Sequence, residues 1–536
     1  MTENKIRLPG LSLPLLELGS SEQEELALSR LVCRRAGASP QDLLEVEIIK
    51  KSLDARDKGH PAFIYTVEAA FRRPVRGQKA EEKKKTLPQK TAPKMEGRPV
   101  VIGAGPAGLF AALTLAEAGL QPLIMEQGKD VEARSRDVEG FWKGEELLPQ
   151  SNVQFGEGGA GAFSDGKLTS RSKDSRGADV LRILVECGAQ PDIRYWHRPH
   201  IGSDRLPLVI ANLRQRIIAA GGIFHYEQRL QSLEISQGQL RALRFVDAAG
   251  RAQEIETKAA VLAVGHSARP LYRELANLGL AMEAKALAVG LRIQHRQDLI
   301  DRDQYGGFAG HPLLGAADYQ LTYKDMEGER GCYSFCNCPG GYIVNASSEE
   351  DHLVVNGMSL SVRDSGWANS ALVTQVFPGR DFGREILDGL LFQEQLEAAA
   401  FAAGGGAHAV PLMSIAAFLG REESISPEEM LSAGQIKTAV WKETDLRGIL
   451  GEELSSSLQK ALLHWNRQLP GFAGEGILAA VESRTSAPLR LLRGENGMSL
   501  NCRGLYPAGE GAGYAGGIVS SAIDGIRAAQ ALLEQG

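Results

Sequence analysis

The sequence predicts an α/β fold: a parallel sheet flanked by helices, split by a long α+β insert and preceded by a small α/β module. Three observations predict it. A short apolar strand, Val100-Val101-Ile102, runs into Gly103-Ala104-Gly105-Pro106-Ala107-Gly108 and then an Ala/Leu-rich helical stretch. A second strand, glycine-rich loop and helix follow between residues 504 and 533. Between these, residues 281–475 change texture to mixed strands, glycine turns and late helices, without a second copy of the first pattern.

Composition sets the outer limits. In 536 residues, 43% are apolar and 24% charged, which excludes wholesale disorder. The 61 glycines are about 11% of the chain against a usual share of roughly 7%, an excess that belongs in turns and ligand loops. Sixty basic and 66 acidic residues give −6, which argues against a general nucleic-acid binder. Six cysteines in so long a chain are not a disulfide framework. The opening residues, broken by Pro9 and Pro14, do not read as a leader. The longest uncharged apolar run, from Val100 to Glu117, is too short and too rich in glycine to span a membrane. A cytoplasmic location is expected.

Taken in order, residues 1–73 read as the small α/β module. Leu28, Leu31 and Val32 give helical spacing within 22–36, and Gly37 can end that helix. Leu44, Val46 and Ile48 alternate in one strand; Ile64, Tyr65, Val67 and Ala69 fall in a second. Residues 74–98 read as a basic linker. From Arg72 to Arg98 ten basic residues face three acidic ones, a net +7, so the rest of the chain carries −13 of the total −6. Pro74, Pro88 and Pro93 interrupt any helix there, and a solvated hinge is expected. Residues 99–280 hold the first part of the main α/β domain. A helix over 204–221 follows from Leu206, Val209, Ile210, Leu213 and Ile217 on one face. Short strands near 223–235, 240–247 and 252–264 then make a meander. Residues 281–475 are the insert, and 476–536 return to the main domain.

The chemistry sits in the glycine loops. Gly103 makes a tight turn, Gly105 lets backbone approach a pyrophosphate, and Gly108 lets helix and strand pack closely. The helix start offers unpaired N–H groups and a positive dipole end to phosphate. The second strand, Pro122 to Met125, ends in Glu126, where a carboxylate can bind ribose hydroxyls. The pattern is Rossmann-like. A second loop, Phe155 to Leu168, has five glycines between Gly156 and Gly166, bare enough for a flat ring to lie against. A third runs from Gly504 to Ile518 with Glu510 inside it. A nucleotide-contacting loop some 400 residues from the first fits FAD, which is long enough to span such a domain, better than NAD alone.

These loops resemble the glutathione-reductase-type flavoproteins. Within them the chain is similar to a family of bacterial proteins described as FAD-dependent dehydrogenases. The resemblance rests on Ser151 to Lys167, Val261 to Arg269, Tyr333 to Asn345 with Cys336-Asn337-Cys338-Pro339-Gly340-Gly341, Glu482 to Pro488, and the 504–518 loop. It implies a Rossmann-like FAD-binding domain with an inserted substrate domain, and it supplies no substrate. It places Gly103, Gly105, Pro106, Ala107 and Gly108 on the pyrophosphate, and Glu126 and Gln127 at the adenosine. Gly159, Ala160, Gly161, Ser164 and Lys167 would lie along pyrophosphate and flavin, and Leu230 against adenine. Gly265 follows a strand end; Gly509, Glu510, Gly516, Gly517 and Ile518 would approach the ribityl chain and ring. Glu510 stands where an Asp is common, and Ala263-Val264-Gly265 lacks the family's hydroxyl.

The expected activity is FAD-dependent oxidoreduction of a small molecule, with NAD(P)H or another donor as redox partner. Arg484 is the expected anion clamp, with Glu482 and Glu495 as its alternative, structural partners. His266, after a strand end, is a candidate acid or base. Cys332, Cys336 and Cys338 read as structural thiols, and His197 with His200 lacks the company of a metal site. No metal is expected. Two competing readings are an RNA-modifying flavoprotein, in which the basic linker grips RNA, and a non-catalytic FAD binder. Neither membrane nor nucleic acid is an expected partner.

Overall fold

The computed structural model describes residues 4–75, 78–79, 97–170, 172–421, 426–431 and 435–535. Its centre is a five-stranded sheet in the spatial order Leu505–Pro507, Ala260–Leu262, Val100–Ile102, Leu123–Met125 and Ile223–His225. All four pairings are parallel. Three-residue strands buried on both faces suit this sheet, because the helices Pro106–Glu117, Leu206–Ala219 and Ile518–Gln535 help cover it. Two glycines permit the tightest approaches. A Cβ on Gly108 would sit 1.8 Å from the Gly103 carbonyl, and one on Gly525 would sit 1.9 Å from that of Ala107. Helix Ile518–Gln535 can therefore lie directly on helix Pro106–Glu117. The meander is present as Gln228–Ser236, Gln239–Asp247 and Ala252–Glu256, a separate antiparallel sheet. Residues Ala260–Leu262, read as the end of that meander, belong to the parallel sheet instead.

A second, seven-stranded sheet carries the insert. Its order is Thr322–Asp325, Arg330–Cys338, Trp367–Val376, Leu287–Arg296, Ile477–Glu482, Val410–Ser414 and Trp441–Glu443. The strand Ile477–Glu482 moves the expected boundary. It pairs with Leu287–Arg296 and Val410–Ser414, so the insert's sheet runs past residue 475. Six fully buried residues fit the interior of either sheet, and nothing local tells them apart.

The N-terminal module is a four-stranded sheet, in the order Leu43–Asp54, Ala62–Phe71, Asn4–Pro14 and Gln78–Lys79, under helix Ser21–Ala36. Ser20 caps that helix by accepting from Gln23 N, and Gly37 ends it with φ of 66°. The strand Asn4–Pro14 escapes the sequence pattern because Pro9 and a bulge at Gly10, with φ of 68°, interrupt its alternation. The expected linker also starts later than residue 74. Gln78–Lys79 still pairs with Arg7 and Ile6, while residues 76, 77 and 80–96 of the expected linker lie outside the described residues.

The module is not decoupled from the rest, as a hinge would make it. Lys51 N donates to Tyr195 O at 2.8 Å and His197 N donates to Lys51 O at 2.9 Å. Phe63 meets Trp196 edge to face at 5.9 Å, and His311 Nε2 bonds Leu18 O at 2.8 Å. Trp196, Phe308, Leu313 and Leu314 all pack on the module's core. A chain beginning at Gly97 is therefore expected to be several kcal/mol less stable, at about 1.5–3 kcal/mol per large apolar side chain fully exposed. Thermal melts of the two chains check this; equal midpoints would show that docking contributes nothing. Among the described residues no helix is long and apolar enough to cross a membrane.

Candidate functional site

One cavity of about 1810 Å³ collects the three glycine loops and reaches the second sheet. Its wall includes Gly103, Gly105, Pro106, Ala107, Glu126, Gln127, Gly159, Ala160, Gly161, Ser164, Lys167 and Leu230. Gly265, His266, Arg484, Gly509, Glu510, Gly516, Gly517 and Ile518 complete the expected set, except that Gly108 lies behind, between strand and helix.

The first loop is built as its spacing requires. Gly103 turns with φ of 96°, and a Cβ there would lie 2.4 Å from the Ala263 carbonyl. Gly105 begins helix Pro106–Glu117 without a side-chain cap, so the first-turn N–H groups await an acceptor. The second loop crosses the first: Gly158 N donates to Ala104 O at 2.8 Å, and the nearest atom to a Cβ on Gly105 is Gly159 Cα at 3.7 Å.

Glu126 ties these loops together. Its carboxylate accepts from Ala104 N at 2.7 Å, Gly128 N at 2.9 Å and Gly156 N at 3.1 Å. It thus organises the cradle as well as lining it. Replacing it with Ala is expected to weaken FAD by roughly 10- to 150-fold, from the loss of about 1.5–3 kcal/mol in charge-assisted hydrogen bonds. Fluorescence titration of FAD checks this, and an unchanged affinity would remove Glu126 from the site.

Three supports were not legible in the motifs. Arg134 is fully buried on helix Val131–Trp142 and donates to the carbonyls of Asn152, Val153, Gly156, Glu157 and Gly159 at 2.7–3.1 Å. The guanidinium acts as a template around which the second loop folds. Burial pulls its pKa down to about 10, so it stays charged at neutrality. Tyr272 Oη donates to the carbonyls of Gly265 and Gly511, joining two other turns of the cavity wall. Asp524, on the C-terminal helix, accepts from Gly509 N at 2.8 Å and pairs with Arg493. A charged residue on a helix's buried face is the one signal that could have marked Arg134.

The second loop is also fastened to the insert. Asp165 is buried against Arg363, with Oδ2 2.6 Å from Nη2. Burial alone would raise the Asp165 carboxyl, but the Arg363 guanidinium overrides it and holds it below the usual range. Glu510 has no such partner; burial pushes it up to about 7, only partly offset by Lys285. It is thus able to hold or release a proton near neutrality.

Arg484 departs most from expectation. Its fork is already filled: Nε and Nη2 reach the two Glu397 oxygens at 3.0 and 2.7 Å, and Nη1 donates to Ser267 at 3.0 Å and Ser348 at 2.7 Å. Arg269 grips the same carboxylate from the other side at 2.6 and 2.9 Å. Neither Glu482 nor Glu495 is the partner; Glu482 pairs with Arg292. Sequence distance hid this, because Glu397 lies 87 residues away on helix Asp388–Gly404. An arginine so engaged is a tie between the His266 turn and the second sheet, with little left for a substrate anion.

His266 is likewise a poor acid or base. Burial, then the Arg484 and Arg269 charges, push it down to about 3, so it is neutral at pH 7 and weakly basic. Its Nδ1 lies 2.8 Å from Ser267 Oγ. His200, down to about 4 through burial, sits beside Lys167 at the edge of the second loop. Cys336 reaches the cavity from the second sheet, and Cys338 is fully buried behind it.

The cradle fits a dinucleotide. At Gly265 and Gly516 a Cβ would meet no atom within 4 Å, so these stretches of wall are bare backbone. Two helix N-termini, of Pro106–Glu117 and Ile518–Gln535, open at the same cavity.

A family model described as an FAD binding domain matches residues 98–136, and one described as FAD-dependent protein, C-terminal domain-like, matches 286–485. A domain of unknown function matches 6–70. Among solved structures, a flavoprotein/dehydrogenase from Cytophaga hutchinsonii aligns at 13% identity over 82% of this chain and 78% of its own, with a TM-score of 0.35. A glycine oxidase from Geobacillus kaustophilus aligns at 12% over 81% and 94%, with a TM-score of 0.36. A protein of Clostridium beijerinckii, described as uncharacterized, is 41% identical over 518 residues, 95% of this chain and 96% of its own. Matched along nearly its whole length, the chain belongs to the same family as that Clostridium beijerinckii protein, and it is an FAD-binding flavoprotein.

Proposed function

We propose that the protein is a cytoplasmic FAD-dependent oxidoreductase, a dehydrogenase of the glutathione-reductase-type lineage acting on a small molecule. The observation that carries this reading is the size and continuity of the cavity. At about 1810 Å³ it exceeds the roughly 300–1,000 Å³ of an ordinary ligand pocket, and it runs from the glycine loops to Cys336 and Tyr333 on the second sheet. It has room for a dinucleotide and for a substrate against that sheet.

Residues 103–107 and 159–161 would hold the pyrophosphate, Glu126, Gln127 and Leu230 the adenosine end, and Gly509, Glu510 and 516–518 the flavin end. Bound FAD supplies the two-electron chemistry. The chain's own part is to position, to exclude water and to manage protons. Glu510 is suited to proton exchange, because its carboxyl titrates near neutrality. Arg484 and Arg269, locked on Glu397, fix the turn carrying His266 and so the wall facing the second sheet. The anion-clamping role expected of Arg484 is replaced by this positioning role.

Anaerobic bleaching of the flavin against NADH, NADPH and a panel of small metabolites tests the reading. Rapid bleaching by one of them supports it. A flavin that no member of the panel reduces, although dithionite does, would favour a non-catalytic FAD binder.

A further inference from the structure

The strand Arg330–Cys338 does not stay regular to its end. Its register against Trp367–Val376 slips between Phe335 and Cys338, and Cys336 takes a left-handed φ of 46°. The slip places the Cys336 side chain on the cavity wall while Cys338 lies directly behind, fully buried.

One guanidinium holds both. Arg292, itself inaccessible to solvent, donates through Nη2 to Cys336 O at 2.7 Å and to Cys338 Sγ at 3.2 Å. Asn369 and Glu482 fix the same guanidinium at 2.9 and 3.3 Å. Between the two cysteines, Asn337 is 6% exposed and lines the cavity beside Tyr319. The Cys338 side chain and the Arg292 and Lys167 charges outweigh burial and lower the Cys336 thiol, while burial raises Cys338. Cys332 and Cys502 are opposite cases, buried thiols pushed up to about 11.

We propose that Cys336 and Cys338 form a redox-active dithiol–disulfide couple on the cavity wall, exchanging an electron pair with FAD. A disulfide across one intervening residue closes a small, strained ring and is readily reduced. Electrons accordingly run from reduced flavin to the disulfide. The S–S bond breaks, two electrons and one proton leave the anionic reduced flavin, and oxidised FAD, one thiolate and one thiol shared by Cys336 and Cys338 remain. The reverse step forms the S–S bond and returns the same pair and proton. Arg292 is a positioning residue that stabilises the thiolate form. The proposal rests on the FAD oxidoreductase reading only for its electron partner; the couple itself is a property of the chain.

The test is an anaerobic reductive titration of the holoprotein with dithionite, after oxidation with a graded series of diamide and removal of the excess by desalting. Differential alkylation and peptide mass spectrometry run alongside. Wild type is expected to consume twice the reducing equivalents per FAD that Cys336→Ser or Cys338→Ser consumes. A Cys336–Cys338 disulfide should appear before reduction and vanish after it. If wild type consumes no more than the variants and both cysteines stay free thiols across the oxidant series, the proposal is overturned. Alkylation of wild type needs neither variant folding nor flavin turnover, so failure of the couple is read separately from failure of the FAD reading.

Discussion

Glu397→Gln is expected to be the most damaging single change in the protein. Glu397 is fully buried, and both its oxygens are shared by two arginines, Arg269 and Arg484, with Ser483 Oγ adding a bond at 2.6 Å. Glu349 touches the same arginines but is only partly buried. Removing the central charge leaves two largely buried guanidiniums without their shared carboxylate. Breaking a buried pair costs about 3–5 kcal/mol, a large part of the roughly 5–15 kcal/mol that holds a typical domain. The sign with pH follows. Burial would raise the Glu397 carboxyl, but the two arginines hold it well below its ordinary 4.5. Its contribution is therefore complete above that ordinary value and fades only as pH falls through the depressed one. Thermal melts of variant and wild type should differ most near pH 7 and converge in strong acid. A variant that melts with wild type at pH 7 would show that the arginines are satisfied without it.

Arg134→Met is expected to empty the cofactor site while leaving most of the helices and sheets intact. Methionine fills the volume but offers no donor: the Gly156 and Gly159 carbonyls keep Gly159 N and Ala162 N, while those of Asn152, Val153 and Glu157 lose the donor that Arg134 supplies. Buried acceptors left without partners cost about 1–3 kcal/mol each. The desolvation saved by removing the charge offsets part of this. The second glycine loop is the segment that gives way, and FAD affinity should fall by roughly 100-fold or more, the equivalent of about 2.7 kcal/mol. Circular dichroism with FAD titration checks both halves. Normal FAD retention would mean that the loop keeps its shape without its template.

The parts of this molecule that were legible in the sequence are those whose physics is local. The first glycine loop could be read because strand, turn and helix N-terminus are contiguous and each glycine answers a nearby clash. Helix Leu206–Ala219 was plain in its periodicity, and the cap pair Ser20 and Gly37 bounds helix Ser21–Ala36. What failed depends on distant partners. The partner of Arg484 was missed because Glu397 is 87 residues away in sequence, and Arg134 belongs to no motif, its carbonyl partners lying 18 to 25 residues on. The run Ile477–Glu482 was assigned to the wrong sheet because a buried apolar run carries no mark of its neighbours. The bulge that turns Cys336 to the cavity likewise leaves no trace in composition.

The most direct test of the account is the flavin content of the full chain. Purified under native conditions, denatured and analysed for released nucleotide, it should yield one FAD per chain and no FMN. A colourless chain that also takes up no added FAD would contradict the reading of the three glycine loops as one cradle.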